Sequence, residues 1–311
     1  MMKIFLKISA VVLSLLLVFT LNNRLLLSIY NSSALYGSFT QKMKRAETID
    51  TEKVIIIGGS ASNLGFDSKT FESLSGKPCA NLSVSAGVPL RVYMKAAELC
   101  AKSGDIVIMP LEYNYYNGDF HGISEAYVDM VGVDKSLRCN DDFYHSIEYG
   151  VSSFLRSFTR INDCILFALR DKMNTQNTIY IADSVDEYGD FCLHKDRAPT
   201  YKRTIENLEF EYNEENLMEI LRFIEKMSQK GVEVFLTYPA TDIYRISSYQ
   251  QYADDAREAV ENYIPVKHII GTPMDFAYEE AFFFDTAYHL QHKYRSAYTE
   301  KLYSLYKNAT K

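Results

Sequence analysis

The sequence of 311 residues contains no tryptophan, seven prolines and no excess of positive charge. Its formal net charge is −7, and nucleic-acid binding needs a basic face for the phosphates, so we expect no nucleic-acid partner. It contains neither a P-loop nor a G-x-G-x-x-G motif, and we expect no nucleotide cofactor. Internal repeats are absent as well, which leaves a globular chain rich in tyrosine and phenylalanine.

The cysteines form no C-x-x-C pair, and this argues against zinc and against any other metal cofactor. Their odd number leaves at least one without a partner in the chain. We expect mostly buried thiols, with one disulfide if the domain is exported. The five are Cys79, Cys100, Cys139, Cys164 and Cys192.

The N-terminal segment is uncharged and apolar over residues 8–21, after Lys3 and Lys7. We predict that residues 1–28 form a single transmembrane helix that anchors the chain in the cell membrane. The uncharged run is slightly shorter than the roughly 20 apolar residues that a spanning helix needs. The positive-inside rule then places the remainder of the chain outside the membrane. A cleaved signal peptide and a buried core helix are the alternatives. Residues 29–52 are predicted to be a linker or a short helix.

Residues 53–311 show the alternation of strands and helices that is typical of a parallel sheet, and they predict an α/β fold with about five strands. Residues 112–204 break this pattern and are predicted to be a mostly helical insertion that caps or walls a site. The predicted strands are Val54–Ile57, Lys77–Leu82, Ile106–Met109, Val232–Tyr238 and Val266–Ile270; the predicted helices are Val92–Ala101, Tyr144–Met173, Glu214–Gln229, Tyr249–Tyr263 and Arg295–Tyr306.

One candidate nucleophile, Ser60, directly follows the first predicted strand and the pair Gly58-Gly59. A serine nucleophile needs a base, and the base needs an acid that fixes its tautomer. Asp285 and His289 follow the last predicted strand, and the carboxyl ends of parallel strands meet at one edge of a sheet. An ordinary N-capping serine, a solvated aspartate and a capping histidine are the alternatives.

Four segments together resemble the sequence blocks of the SGNH/GDSL hydrolase superfamily. They are Gly58-Gly59-Ser60, Asn81–Gly87, Ile106–Tyr113 and Asp285–Leu290. The resemblance implies a three-layer α/β/α flavodoxin-like sandwich. It also implies a catalytic triad of Ser60, Asp285 and His289.

The sequence departs from the family pattern at three points. Gly59 stands where an aspartate is usual, and Glu112 lies near the place of the usual asparagine. The spacing between Asp285 and His289 is one residue longer than in the usual D-x-x-H block. An ionised carboxylate cannot donate to an oxyanion. The donor is therefore Tyr113 or Asn114, or the hole consists of backbone N–H groups from Ser60 with Ala86 or Gly87. His292 is a second candidate base beside His289.

The subgroup that the chain resembles most consists of bacterial extracytoplasmic proteins related to polysaccharide O-acyltransferases and to the D-alanyl transfer protein of teichoic acid synthesis. This resemblance implies that the protein transfers an acyl group to a cell-surface polysaccharide. It also implies that a membrane-bound O-acyltransferase partner supplies the acyl group. A plain esterase is one alternative. A catalytically silent scaffold that binds glycan or a membrane partner is another.

Overall fold

A parallel β-sheet of five strands forms the centre of the molecule. The computed structural model describes residues 2–139, 142–169, 179–242 and 244–310. The strands lie in the order β2-β1-β3-β4-β6, and a separate parallel pair joins β5 to β7. The strands are β1 (Val54–Ile56), β2 (Cys79–Asn81), β3 (Ile106–Pro110), β4 (Glu233–Thr237), β5 (Thr241–Asp242), β6 (Ile269–Ile270) and β7 (Ala277–Tyr278).

Nearly every residue of the five central strands is buried, and only Glu233 at the start of β4 is exposed. Because successive side chains point to opposite faces of a sheet, burial of consecutive residues means that both faces are covered. The predicted α/β class and the parallel sheet of about five strands are confirmed. The last predicted strand is shorter than expected, because residues 266–268 form a 3₁₀ turn.

The helices follow the predicted order, with two short additions between β1 and β2. These additions are α3 and α4; α4 begins at the Asp67 cap, whose carboxylate accepts from Thr70, and ends at Gly76 with φ of 70°. The helices are α1 (Met2–Ser33), α2 (Phe39–Thr48), α3 (Ser60–Gly65), α4 (Ser68–Ser75), α5 (Leu90–Cys100), α6 (Asn114–Asn117), α7 (Glu125–Val133), α8 (Phe143–Leu169), α9 (Glu214–Gln229), α10 (Tyr249–Tyr263) and α11 (Arg295–Ala309).

The segment predicted as a linker or short helix contains α2, which packs into the core through Phe39, Met43 and Ala46. Residues 1–28, the predicted anchor, fall within α1 apart from the undescribed Met1. The predicted transmembrane helix is not found: within the described ranges, no helix is both long enough and apolar enough to cross a membrane.

A buried ionic cluster attaches α1 and α8 to the rest of the fold. The Asp129 carboxylate of α7 accepts hydrogen bonds from the Tyr30 hydroxyl and from the guanidinium groups of Arg156 and Arg160. Removal of one member of such a buried group leaves uncompensated charge, so the cluster fixes how the three helices pack. The first part of the predicted insertion contains α6, α7 and α8 joined by loops, whereas residues 179–204 contain no α-helix. Residues 170–173 of the predicted helix lie outside the described residues.

Within the described residues, the five cysteines form no disulfide with one another. Cys79 and Cys100 are buried, and the other three are partly buried. The possible disulfide is not formed, and the expectation of mostly buried thiols holds for only two of the five, Cys79 and Cys100.

Candidate functional site

A cavity of about 740 Å³ brings together residues that are far apart in the sequence. It is lined by Ser60 after β1, by Ala86 after β2, by Glu112 after β3 and by His289 near the C-terminus. These positions follow strand ends because the parallel strands direct their carboxyl ends to a common edge. Ser60 is the first residue of α3, and its side chain is partly exposed.

His289 is held by Asp285, four residues earlier in the chain. The His289 Nδ1 lies 2.7 Å from Asp285 Oδ1, and only 11% of the histidine side chain is exposed. This contact fixes the ring tautomer and leaves Nε2 as the ring nitrogen that can accept a proton. His292, the second candidate base, lies outside this pair, and its ring contacts His194.

The longer spacing between the aspartate and the histidine is accommodated by a compact loop. The Thr286 hydroxyl oxygen accepts hydrogen bonds from the backbone N–H groups of Tyr288 and His289. The Phe284 N–H donates to the His289 carbonyl at 2.7 Å, and this bond closes the loop. A threonine turn of this kind brings Asp285 and His289 together despite the added residue.

A fourth member of the group, Tyr180, was missed by the sequence reasoning. Its hydroxyl donates to Asp285 Oδ2 at 2.5 Å, and its ring stacks on Phe191. Burial raises the pKa of Asp285, but the hydrogen bonds from His289 and Tyr180 outweigh that effect and hold the pKa below its ordinary value. Tyr180 lies in the predicted insertion, 105 residues from Asp285, so no local pattern could have indicated it.

We predict that Tyr180→Phe lowers kcat/KM of the ester cleavage proposed below about tenfold, because the variant removes a charge-assisted hydrogen bond of about 1.5–3 kcal/mol and keeps the ring packing. The pKa of Asp285 should rise, so activity should begin to fall at a higher pH on acidification. A pH–rate profile measures this. Tyr188→Phe, a change elsewhere in the same segment, should leave the profile in place; an unshifted profile for Tyr180→Phe would contradict the positioning role.

The groups available to stabilise an oxyanion are fewer than the sequence suggested. The Gly87 N–H donates to Ser85 Oγ at 3.2 Å and is therefore not free. Within the described part of the chain, the N–H groups of Ser60 and Ala86 have no acceptor. The Asn114 amide donates to the Ala86 carbonyl at 3.3 Å and keeps a second N–H. Ser60, Ala86 and Asn114 are thus the remaining donors.

Tyr113 is placed differently from the other predicted donors. Only 3% of this residue is exposed, and its ring packs edge-on against Tyr252 with centroids 5.1 Å apart. Burial, together with the neighbouring Tyr249, raises its pKa well above the ordinary value, so the hydroxyl remains protonated. Tyr113 therefore contributes an aromatic wall of the cavity.

Glu112, which departs from the family pattern, lies directly behind the serine. Its carboxylate accepts from the Gly59 N–H at 2.9 Å and from the Ala61 N–H at 2.7 Å. A Cβ on Gly59 would approach Glu112 Oε1 to 2.4 Å, so the glutamate in this position leaves no room for a side chain at position 59. Burial raises the pKa of Glu112, although the hydrogen bond from Ala61 acts in the opposite direction. The carboxylate holds both backbone neighbours of Ser60.

A buried histidine, His194, lies behind the Asp–His pair among Phe191, Phe284 and His292. Within the described residues, neither of its ring nitrogens has a hydrogen-bond partner. Burial, with further contributions from Arg295 and the neighbouring histidines, lowers its pKa to about 3.

This histidine predicts a loss of stability in acid. The pKa of His194 is 6.5 in the unfolded chain and about 3 in the folded chain. As the pH falls from 6.5 towards 3, the unfolded chain therefore binds a proton that the folded chain does not, and the free energy of unfolding falls. His194→Phe should reduce the loss between pH 7 and pH 5 by about 2 kcal/mol. Urea unfolding at both pH values measures this, with His121→Phe at a partly exposed site as control; equal losses in wild type and His194→Phe would refute the prediction.

Within the described residues, no cluster of three or more histidine, cysteine, aspartate or glutamate side chains could hold a metal ion. The site contains a serine, an Asp–His pair, two backbone donors and the Asn114 amide. In the comparisons with known proteins, no family model, no curated protein and no solved structure matches the chain.

Proposed function

We propose that the protein is a serine-dependent acyltransferase or esterase of the SGNH/GDSL type, with a flavodoxin-like α/β/α sandwich, that acts on a cell-envelope polysaccharide or a related polymer. The observation that carries the proposal is the placement of Ser60 and His289 in one cavity, with Asp285 bonded to the remote nitrogen of the imidazole. The strand order 2-1-3-4-6 supports the fold assignment, because flavodoxin-like sheets share this arrangement of their five strands.

In the first half-reaction, Ser60 Oγ attacks the carbonyl carbon of an acyl ester. His289 Nε2 takes the serine proton, and the developing imidazolium is stabilised by the Asp285 carboxylate. The N–H groups of Ser60 and Ala86, with the Asn114 amide, stabilise the oxyanion. The ester C–O bond then breaks, His289 returns the proton to the leaving alcohol, and the acyl group remains on Ser60.

In the second half-reaction, a hydroxyl group attacks the acyl carbon, and the bond between the acyl carbon and Ser60 Oγ breaks. His289 takes the proton from the incoming hydroxyl and returns it to Ser60 Oγ, so the enzyme is regenerated. A sugar hydroxyl gives transfer, and water gives hydrolysis. No metal or other cofactor enters either half-reaction.

We also propose that the chain is held at the cell membrane by its N-terminal segment, with the catalytic domain outside and a membrane-bound O-acyltransferase as the source of acyl groups. Exposed apolar side chains support a membrane location: they include Leu13 and Leu17 on α1 and Phe154, Phe158 and Ile165 on α8. Large exposed apolar patches mark membrane or protein contacts.

The test uses the purified full chain in mild detergent. A fluorophosphonate probe should label wild-type protein and neither Ser60→Ala nor His289→Ala. Incubation with p-nitrophenyl acetate, with and without sugar acceptors, then separates the two activities: acetylated sugar indicates a transferase, and acetate alone indicates an esterase. Absence of labelling in folded wild-type protein would refute the enzyme proposal and favour the scaffold, in which Glu112 replaces the usual asparagine donor.

A further inference from the structure

A second cavity adjoins the first across a single hydrogen bond. It has a volume of about 440 Å³ and shares Ala86 and Asn114 with the cavity that contains Ser60. The Asn114 amide donates to the Ala86 carbonyl, so these two residues form a low ridge between the cavities. At the far side the second cavity reaches Glu148 on α8.

Each cavity has the volume of a small-molecule site. The combined volume of the two cavities exceeds the volume that one acyl group requires. Ser60 lines the first cavity, and the ridge residue Asn114, which lines both cavities, is exposed. A ligand of several units could therefore lie across the ridge, with one unit at the serine and others beyond Ala86.

The charges around both cavities disfavour an anionic ligand. Among the described residues that line them, Arg245 is the only lysine or arginine, and its guanidinium is paired with Glu206 at 3.1 Å. Exposed carboxylates are present in both cavities, Glu209 in the first and Asp119 and Glu148 in the second. A cleft that is lined by negatively charged carboxylates lowers the local concentration of anions.

The uncharged groups in the lining suit a ligand with many hydroxyl groups. The amides of Asn114, Asn117 and Asn207 each offer both donors and acceptors. The rings of Tyr252 and Tyr288 provide flat apolar surface in the first cavity. Amides beside aromatic rings bind neutral polyols without requiring a counter-charge.

We propose that the substrate polymer of this site is an uncharged polysaccharide, and that a stretch of it occupies both cavities across the Ala86–Asn114 ridge. A polymer of phosphodiester or uronate units would place repeated negative charges beside Glu209, Asp119 and Glu148. The inference rests on the proposed function for the role of Ser60, whereas its test uses binding alone.

The experiment measures oligosaccharide binding to the full-length Ser60→Ala chain by titration calorimetry, so the result does not depend on turnover. The probes are dimers and hexamers of three neutral glycans (cellulose, chitin and amylose), and anionic hexamers of galacturonate and glycerol phosphate. A neutral hexamer should bind at least about tenfold tighter than its dimer, which corresponds to ~1.4 kcal/mol, and tighter than both anionic hexamers at low salt.

A substitution in the second cavity provides the matched variant. Glu148→Trp fills the far end of that cavity and should reduce the affinity for the neutral hexamer to that of the dimer. Glu225→Trp, at an exposed position on α9, should leave the affinity unchanged.

Three outcomes would overturn the inference: absence of neutral hexamer binding, tighter binding of an anionic hexamer, or equal affinity for dimer and hexamer. Failure of the fluorophosphonate labelling would instead refute the proposed chemistry. Because binding is measured without the serine hydroxyl, the two failures are distinguishable.

Discussion

Ser60→Ala should lower kcat/KM for p-nitrophenyl acetate by about 10⁴-fold or more, because the variant removes the atom that would form the acyl-enzyme. His289→Ala should cause a loss of the same order, since Ser60 then has no base. The double variant should be little worse than either single variant, because residues that act as a unit are not additive. Initial rates at saturating and limiting ester concentrations measure these losses.

Two control variants remove a serine hydroxyl and a histidine ring outside the proposed Ser60–His289–Asp285 group. Ser228→Ala removes a hydroxyl that donates to the Ile224 carbonyl within α9, and it should keep full activity. His292→Ala tests the second candidate base and should retain most of the rate. If His292→Ala abolished turnover while His289→Ala did not, the base would be reassigned.

Gly59→Ala should lower kcat about a hundredfold, because displacement of a reacting group by about 1 Å has an effect of this size. The new Cβ would approach Glu112 Oε1 to 2.4 Å, and the carboxylate could no longer hold the N–H groups of Gly59 and Ala61. In a Glu112→Asn background the shorter side chain leaves room, so the added methyl group should cost much less. The KM should change little, because the Glu112 carboxylate is bonded to the backbone N–H groups on either side of Ser60.

A double-mutant cycle of Gly59→Ala and Glu112→Asn gives the coupling between the two positions. Gly65→Ala provides a matched glycine control in the same short helix, because its Cβ would meet Leu290 at an ordinary 3.7 Å. Additive effects at Gly59 and Glu112 would show that the carboxylate does not position the serine. Circular dichroism and unfolding curves of each variant separate misfolding from misplacement.

Periodicity predicted the scaffold well because it is dictated by local sequence. The predicted helices Glu214–Gln229 and Tyr249–Tyr263 have the bounds that α9 and α10 have in the structure. Buried parallel strands appear as short apolar runs, so β1 and β3 were recognised within one residue at each end. The short helices α3 and α4 were missed because a single turn or two has too few residues to show a period.

The contacts around the candidate site could not be predicted in the same way. Tyr180 reaches Asp285 from the predicted insertion, and Glu112 reaches Gly59 across 53 residues. Sequence reasoning noticed Gly59 and Glu112 as separate departures from a family pattern. Their dependence on each other appears only when the ends of β1 and β3 are placed side by side.

The sequence by itself determined the α/β class, the parallel sheet and the candidate residues Ser60, Asp285 and His289, because strand signals and short-range spacing are local properties of the chain. The tertiary structure decided which distant groups meet: the Tyr180 hydroxyl with the Asp285 carboxylate, and the Glu112 carboxylate with the Gly59 N–H. These contacts depend on strand order and loop packing, which bring distant residues within hydrogen-bond distance and leave no signal in the spacing.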